Sequence, residues 1–423
     1  MNVPIYMDNH ATTRVDPRVL EAMLPYFTET FGNAGSISHS FGQDAKRAVD
    51  AARESIAAAL NASPREIVFT SGATESNNLA IRGLADRASR SRLPGGTSVG
   101  LSPSSGPARQ AGPTARNHLV SVATEHKAIL DPLRRLARRG FEVSLLPVEQ
   151  AGSPRAGWLA SEKVAESIRD DTLLVSVMLA NNEIGIIQPI AEIAAICRQR
   201  GVPLHCDATQ GVGKIPVDVE ALGIDLMSFS AHKIYGPKGI GGLYVRRQGG
   251  GLRLEPLIDG GGQEGGLRSG TLNVPGIVGF AKAVELCVAE MASESPRLAE
   301  LRQKLWDGLR AEVPEVLLNG PRWSDSGPSL RLAGNLNCAF QFVDGEALMM
   351  NMKDVAVSSG SACTSANPEP SHVLRALGLS DDLVRSSLRF GLGRFNTAAE
   401  VDFTIQAVSK TVRRLRELSG AAK

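Results

Sequence analysis

The residue best suited to covalent chemistry is a lysine that follows an apolar run. Lys233 ends the segment SAHK, directly after residues 225–229. Burial at a strand end lowers the pKa of a lysine, and a neutral amine can form a Schiff base with a carbonyl compound. Most lysines are solvated loop residues, however, and Lys233 taken alone is better explained in that way.

A carboxylate stands at the end of the preceding predicted strand. Asp207 begins the segment DATQ, which follows residues 202–206 and ends at Gln210. Such an acid can cap a turn or a helix. Asp207 and Lys233 end two successive strands, however, so they could meet at one ligand. In enzymes that use pyridoxal 5'-phosphate (PLP), a carboxylate pairs with the ring nitrogen and keeps the ring an electron sink.

A turn of small residues joins a predicted strand to a helix at TSGATES, residues 70–76. Backbone N–H groups at a helix start, together with Ser and Thr hydroxyls, bind phosphate well. The alternative is a plain capping box from Ser71 through Thr74 and Glu75. Thr271, in RSGT, could add a hydroxyl to the same phosphate.

Two further strand ends carry polar side chains. His126 follows the predicted strand 118–123, where an imidazole could stack on a flat ring and move protons. A helix cap or a core contact is the ordinary alternative for a single histidine. Asn182 follows 175–180, and its amide could donate to a ring oxygen or to a substrate carboxylate.

One cysteine differs from the other four. Cys363 lies among small residues in SSGSACTSA, 358–366, whereas the others lie in apolar runs and are expected to be buried and inert; these are Cys197, Cys206, Cys287 and Cys338. An exposed thiol on a flexible loop is a candidate nucleophile.

The elements that must position these residues alternate between strand-like and helix-like runs from about residue 40 to 250. The strand candidates are 66–70, 118–123, 141–148, 173–180, 203–208, 226–231 and 241–247, and helices are predicted at 43–60, 128–139 and 191–200. Near-continuous apolar strands are typical of a parallel sheet covered on both faces, with ligands at its carboxyl edge. We therefore predict an α/β fold.

The pattern changes after about residue 270. Helices are predicted at 277–291, 296–313, 345–352 and 398–415, and strands at 336–342 and 388–391. We predict a large domain over 15–270, and a smaller α+β domain formed by 1–14 with 271–423, which carries the cysteine loop.

Residues 88–117 interrupt this alternation. They are rich in Ser, Gly, Pro and Arg and contain no acidic residue. Such a segment buries too little apolar area to offset its ordering entropy, so a mobile surface loop is expected. An arm that binds an anion or a partner is the alternative.

Composition excludes several classes of protein. The chain has 423 residues with 46 basic and 44 acidic side chains, a net charge of +2, which disfavours a general nucleic-acid binder. No run approaches the roughly 18 apolar residues of a membrane helix, and the start shows no export signal. Five cysteines without a CxxC pair disfavour a zinc site and a disulfide framework, and fit a reducing cytoplasm.

Taken together, the motifs closely resemble those of the cysteine desulfurases, which are PLP-dependent enzymes of fold type I in the class V aminotransferase family. The combination TSGATES, TEHKA, NNEIG, DATQ, SAHKIYGPKG, RSGT and SSGSACTS carries the resemblance. It extends from DNHATT at residue 8 to RFGLGR, which ends at residue 394. The cysteine loop is that of the NifS/IscS-like group.

The resemblance implies PLP as the cofactor. Lys233 would hold it as an internal aldimine, Asp207 would pair with the ring nitrogen, Gln210 would reach the ring hydroxyl, and His126 would stack on the ring. The residues implied to contact the phosphate are Ala73, Thr74, Ser230, His232 and, from the other subunit of a homodimer, Thr271.

The resemblance also implies the reaction. Asn182 and Arg389 would hold the carboxylate of L-cysteine, Lys233 would remove its Cα proton, and the thiolate of Cys363 would take its sulfur as a persulfide, releasing L-alanine. The sulfur would go to an acceptor protein such as an iron–sulfur scaffold, for Fe–S cluster assembly or other sulfur delivery. The short C-terminus, however, leaves the scaffold partner open, because housekeeping members dock it with a longer tail.

Two alternatives remain at this point. A selenocysteine lyase, or another lyase or aminotransferase of the same fold, would share Lys233, Asp207 and His126, and only the loop of Cys363 separates it from a desulfurase. A sulfur carrier without enzymatic activity is disfavoured by the presence of Lys233.

Overall fold

The computed structural model describes residues 3–90, 116–247, 251–323, 329–359 and 370–420. The strands in these ranges are β1 (Ile5–Tyr6), β2 (Ile67–Thr70), β3 (His118–Val122), β4 (Glu142–Leu146), β5 (Thr172–Ser176), β6 (Leu204–Asp207), β7 (Leu226–Ser230), β8 (Gly241–Val245), β9 (Val316–Leu318), β10 (Asn335–Phe340), β11 (Val355–Ala356) and β12 (Ser387–Gly391). The helices are α1 (Pro17–Met23), α2 (Pro25–Thr28), α3 (Ser40–Ala59), α4 (Ala73–Arg90), α5 (Lys127–Ala137), α6 (Ser161–Ser167), α7 (Ile190–Gln199), α8 (Val274–Glu312), α9 (Gly345–Asn351), α10 (His372–Ala376), α11 (Asp381–Arg385) and α12 (Ala398–Leu418). Cys363 lies outside the described residues.

The larger sheet has the strand order β2-β8-β7-β6-β5-β3-β4. Strands β3 to β7 run parallel, and β8 is antiparallel to both of its neighbours, β2 and β7. This confirms the predicted α/β fold with a mostly parallel sheet. Strands β5, β6 and β7 are buried along their whole length, as their apolar sequences require. Strand β4 instead exposes Glu142 and Leu145, because it lies at the edge of the sheet.

The smaller sheet is antiparallel, with the order β12-β10-β9. Close to it, β1 pairs with β11 in a parallel pair. Ile5 and Met7 are buried in the same core as Leu336 and Phe390, so the first residues of the chain pack with its C-terminal part. The domain limits at residues 14 and 270 stay a prediction.

One long helix connects the two cores. The prediction of separate helices at 277–291 and 296–313 is wrong, because α8 passes through Pro296 without ending. A proline inside a helix costs about 3 kcal/mol, so the sequence favours a break there. Packing at both ends offsets this cost: Phe280 is buried in the core of the larger sheet, and Leu305 and Leu309 are buried in the core of the smaller one.

The segment 88–117, predicted as a mobile loop, is helical at its start. Its first three residues are the last turn of α4, where Arg90 pairs with Glu255 at 2.7 Å. A basic residue is favourable at a helix C-terminus, which explains the extension. Residues 91–115 lie outside the described residues.

In the part of the chain that the structure describes, no helix is both long enough and apolar enough to cross a membrane.

Candidate active site

A cavity of about 560 Å³ opens at the carboxyl ends of β5, β6 and β7. Its walls gather most of the residues singled out in the sequence: Ala73, Thr74, His126, Asn182, Asp207, Gln210, Ser230, His232, Lys233 and Arg389. Thr271 is exposed and does not border the cavity. The contribution of Thr271 from a second subunit stays a prediction.

Lys233 lies on a 3-10 turn, Ala231–Lys233, that begins directly after β7. Its Nζ donates to the backbone oxygens of His10 at 2.8 Å and Ala11 at 2.5 Å. The N-terminal segment therefore supplies the acceptors that hold the amine, and this arrangement could not be read from local sequence around Lys233.

Asp207 lies at the end of β6, beside β7, and is 5% exposed. One carboxylate oxygen accepts from the side-chain amide of Asn77 at 2.7 Å, and the other from the backbone N–H of Thr209 at 3.0 Å. Both donors are neutral. Sequence reasoning missed Asn77, although an asparagine on the buried face of α4, just after the small-residue turn, is a usable signal.

His126 both caps a helix and borders the cavity. Its Nδ1 accepts from the backbone N–H of Ala128 at 3.1 Å at the start of α5, so a neutral ring carries its proton on Nε2. Burial lowers the pKa of His126, which favours that neutral ring. The capping role and the predicted ring-stacking role are therefore compatible.

A buried carboxyl group supports the His126 turn from behind. Glu125 is fully buried, and its Oε1 accepts from the backbone N–H of Met178 at 2.6 Å. Burial, and then the charge of Asp207, raise the pKa of Glu125 well above its usual value. Sequence reasoning gave this residue no role, because an acid before a histidine has no distinctive pattern.

The turn that precedes α4 forms another wall. The backbone N–H of Ser71 donates to Glu75 at 2.8 Å, so the capping interaction expected of this turn is partly present. Beside it, burial and then the charges of Lys233 and Lys238 lower the pKa of His232 to about 4. A helix N-terminus with hydroxyls and a nearby lysine suits a phosphate group.

Arg389 reaches the cavity from the middle of β12 and is 3% exposed. One terminal nitrogen donates to Asp8 at 2.7 Å and the other to the backbone oxygen of Asn182 at 2.9 Å. Its Nε has no hydrogen-bond partner among the described residues. A buried, unpaired donor of this kind suits a carboxylate ligand.

His10 belongs to the DNHATT motif, for which the sequence predicted no role of this histidine, yet it borders the cavity. It is 3% exposed, and burial, followed by the charges of Lys214 and Arg389, lowers its pKa well below the usual value. No sequence rule would have found His10, because the residues that surround it, Gln210, Lys214 and Arg389, lie far away in the chain.

The donor set around this cavity fits PLP. An amine, a carboxylate, an amide and an imidazole surround it, and a helix N-terminus lies beside them. No group of His, Cys, Asp and Glu side chains among the described residues could hold a metal ion.

Comparison with known proteins agrees with this site. The chain belongs to the aminotransferase class-V family, whose family model matches residues 5–103 and 96–403. Within that family it lies among the cysteine desulfurases, as its motifs predicted. The relative "Cysteine desulfurase IscS" of Anaeromyxobacter dehalogenans is 54% identical over 419 residues, which cover 99% of this chain and 95% of the relative.

Solved structures give the same result. A structure titled "NIFS-LIKE PROTEIN" superposes with a TM-score of 0.82 at 35% identity, covering 97% of this chain and 99% of the other. One titled "SspA in complex with cysteine" has a TM-score of 0.74 at 34% identity, covering 93% of this chain and 100% of the other. These likenesses confirm the predicted fold type and the predicted class of enzyme.

Proposed function

We propose that this desulfurase converts L-cysteine to L-alanine and passes the sulfur to Cys363 as a persulfide. The observation that carries the proposal is the meeting of Lys233, Asp207 and His126 at one cavity, with the buried donor of Arg389 beside them. A relative whose structure is titled as a complex with cysteine supports the class of substrate.

Lys233 would hold PLP, with Asp207 at the ring nitrogen, Gln210 at the ring oxygen and His126 against the ring. The start of α4 would hold the phosphate through Ala73 and Thr74, together with Ser230 at the end of β7 and His232 on the turn that follows it. When bound, PLP supplies an electron sink for charge that develops on the substrate Cα.

The chain's own groups then position the substrate and move its protons. Arg389 and Asn182 would orient the substrate carboxylate, which leaves the Cα proton for the Lys233 amine to take. In this structure that amine donates to the backbone oxygens of His10 and Ala11, which place it at the edge of the cavity. In the sulfur step, the thiolate of Cys363 bonds to the substrate sulfur and the Cβ–S bond breaks, leaving its electron pair on the carbon fragment. That fragment takes a proton at Cβ and regains one at Cα to become alanine.

The described residues on either side of the cysteine loop support this role. Ser358 pairs with the backbone of Arg389, with N···O distances of 2.7 and 3.4 Å. On the far side, the hydroxyl of Ser371 donates to Glu183 at 2.5 Å. Cys363 is five residues from Ser358, and an extended chain of that length spans about 17 Å. A thiol anchored in this way is within reach of the cavity.

A homodimer would complete the site. Residues 20–41 expose large apolar side chains to an unusual degree, with Phe27 58%, Phe31 62% and Ile37 64% accessible. Clustered apolar side chains of this kind are typical of protein interfaces. A second copy on this surface would cover it, and the family resemblance implies that this copy supplies Thr271 to the phosphate site.

The sulfur acceptor is proposed from the relatives. Several carry the name "Cysteine desulfurase IscS", and an acceptor that serves Fe–S cluster assembly fits that name. A cytoplasmic location is supported by Cys197, Cys206, Cys287 and Cys338, which are buried free thiols.

The test is to incubate the purified protein with L-cysteine, PLP and a reductant. Alanine and sulfide should form in equal amounts, and Cys363→Ser should abolish sulfide release. Cys197→Ala, which changes a buried thiol on α7, serves as the control and should keep the activity. If Cys363→Ser desulfurates at the full rate, the proposal is wrong. Selenocysteine and a keto acid offered in parallel would separate the two related activities.

A further inference from the structure

A buried amide beside the cavity has its orientation fixed from two sides. Gln210 is 3% exposed, and its Oε1 accepts from the Lys214 ammonium at 2.5 Å and lies 3.3 Å from Nδ1 of His10. Its Nε2 donates to the backbone oxygen of His10 at 2.9 Å. Because an ammonium donates and a backbone oxygen accepts, the side-chain amide cannot be reversed without losing both bonds.

This orientation leaves Gln210 with one N–H to offer. The amide nitrogen has two protons, one of which is taken by His10, and Gln210 borders the cavity. The second proton is therefore a donor for a ligand. The same amide oxygen requires the proton of a neutral His10 ring to lie on Nδ1. The His10 Nε2 then carries a lone pair, and it has no partner among the described residues.

Lys214 contacts Gln210 from the side that faces away from the main cavity. It does not border the main cavity, but lines a second, small one of about 40 Å³ that also contacts His10 and Glu294. Its ammonium therefore acts on the main cavity through Gln210 and through its charge.

We propose that Lys214 is a positioning residue of the cofactor site, which holds the Gln210 amide with its free N–H toward the ring oxygen of bound PLP and holds His10 as the Nδ1–H tautomer. This inference rests on the function proposed above.

Lys214 has N–H groups to donate to Gln210 whether its amine is charged or neutral, so a lowered pKa leaves this contact intact. Burial, and then the charges of Lys233 and Arg389, lower the pKa of Lys214 to about 7. Lys233 and Arg389 face the same region, with Asp8 as the partner of Arg389. A site that gathers these cations favours an anionic oxygen at its centre.

The test titrates the absorbance band of the lysine-bound cofactor, at about 400 nm, against pH. A donor to the ring oxygen stabilises the form that has lost its proton, so its removal raises the pKa of this transition. In Lys214→Met we expect that pKa to rise by about one unit, roughly a tenfold change in the equilibrium. The dissociation constant of PLP should rise as well. Lys282→Met, which changes a partly exposed lysine of α8 that pairs with Glu285, should leave both values unchanged.

A double-mutant cycle separates positioning from charge alone. If Lys214 acts mainly through the amide, the shift that Lys214→Met causes should be clearly smaller in a Gln210→Met background than in the wild type. Full additivity of the two shifts, or no shift in Lys214→Met, would overturn the inference. Should Lys214→Met fail to fold, Lys214→Gln retains a shorter donor and should show a smaller shift in the same direction. If the wild-type protein shows no band with PLP, it is the proposed function that fails.

Discussion

The two sheets bring chemistry to the cavity in different ways. The larger sheet presents its groups just past strand ends, with Asp207 closing β6 and Lys233 on the turn after β7. The smaller sheet presents Arg389 from the middle of a fully buried strand, where the side chain is held by Asp8 and by the backbone of Asn182. Strand ends allow polar groups without disturbing the core, whereas a buried mid-strand arginine needs hydrogen-bond partners that other segments of the chain must supply.

The N-terminal segment joins the two regions. Asp8 binds Arg389 of the smaller sheet, while the backbone oxygens of His10 and Ala11 accept from Lys233 of the larger one. Thr13 continues the contact by donating its hydroxyl to the backbone oxygen of His232 at 2.9 Å. The site is therefore assembled between two cores, and this short segment contacts the catalytic groups of both.

The largest effect should come from the strand-end side of this comparison. Lys233→Ala removes the amine that binds the cofactor and moves the substrate proton, so kcat should fall at least ~10³-fold, about 4 kcal/mol of activation free energy. The band near ~400 nm should also be absent. Steady-state alanine formation and an absorbance spectrum measure both. A variant that keeps the band would show that another group binds the cofactor.

The difference between the two sheets also explains what the sequence could predict. Asp207, Lys233 and His126 follow apolar runs, so the rule that ligands bind at strand ends made them candidates and predicted that Asp207 and Lys233 could meet at one ligand. Arg389 has no such local signal and was predicted through the family resemblance alone. Asn77, Glu125 and His10 were missed, because their contacts depend on residues far away in the chain. The break at Pro296 was wrong because packing of α8 on two cores outweighs a local preference.

The next effect concerns Glu183, which accepts a hydrogen bond from Ser371, a residue that follows the cysteine loop in the sequence. Glu183 is 4% exposed, and burial raises its pKa to about 7. The folded state therefore binds more protons than the unfolded state between the usual carboxyl pKa and about 7, so this stabilisation is complete at low pH and is lost as pH rises through that window. The loss should reach about 3 kcal/mol at most.

Denaturant unfolding of the wild type and of Glu183→Gln at pH 5 and pH 8 measures this pH-dependent change in the free energy of unfolding. The variant should be the less pH-dependent of the two, because it keeps the acceptor for Ser371 and has no carboxyl group to titrate. Parallel curves for the two proteins would mean that the Glu183 carboxyl group is not protonated in the folded state.

A smaller effect should come from the mid-strand side. Arg389→Lys keeps the charge beside Asp8 but loses the planar fork and the buried Nε donor, which is worth about 2 kcal/mol for a bond to a charged group. We expect kcat/KM for L-cysteine to fall roughly 30-fold, mainly through KM. The absorbance of bound cofactor should not change. A loss confined to kcat would assign Arg389 to the chemical step. The larger sheet would then no longer differ from the smaller one in supplying the groups that carry out the chemistry.

The smallest effect tests whether the two regions can be perturbed separately. Thr397 caps α12 in the smaller region: its hydroxyl accepts from the backbone N–H of Glu400 at 3.3 Å, and the Glu400 side chain accepts from the backbone N–H of Thr397 at 2.9 Å. Thr397→Ala should lower the free energy of unfolding by about 1 kcal/mol, because the helix start loses an acceptor. Chemical denaturation measures the loss, and cofactor absorbance reports on the larger region. Since this cap touches none of the cavity residues, the absorbance band should keep its position and its pH dependence. A shift of that band would show that the smaller region sets the geometry of Lys233, through the N-terminal segment that contacts both.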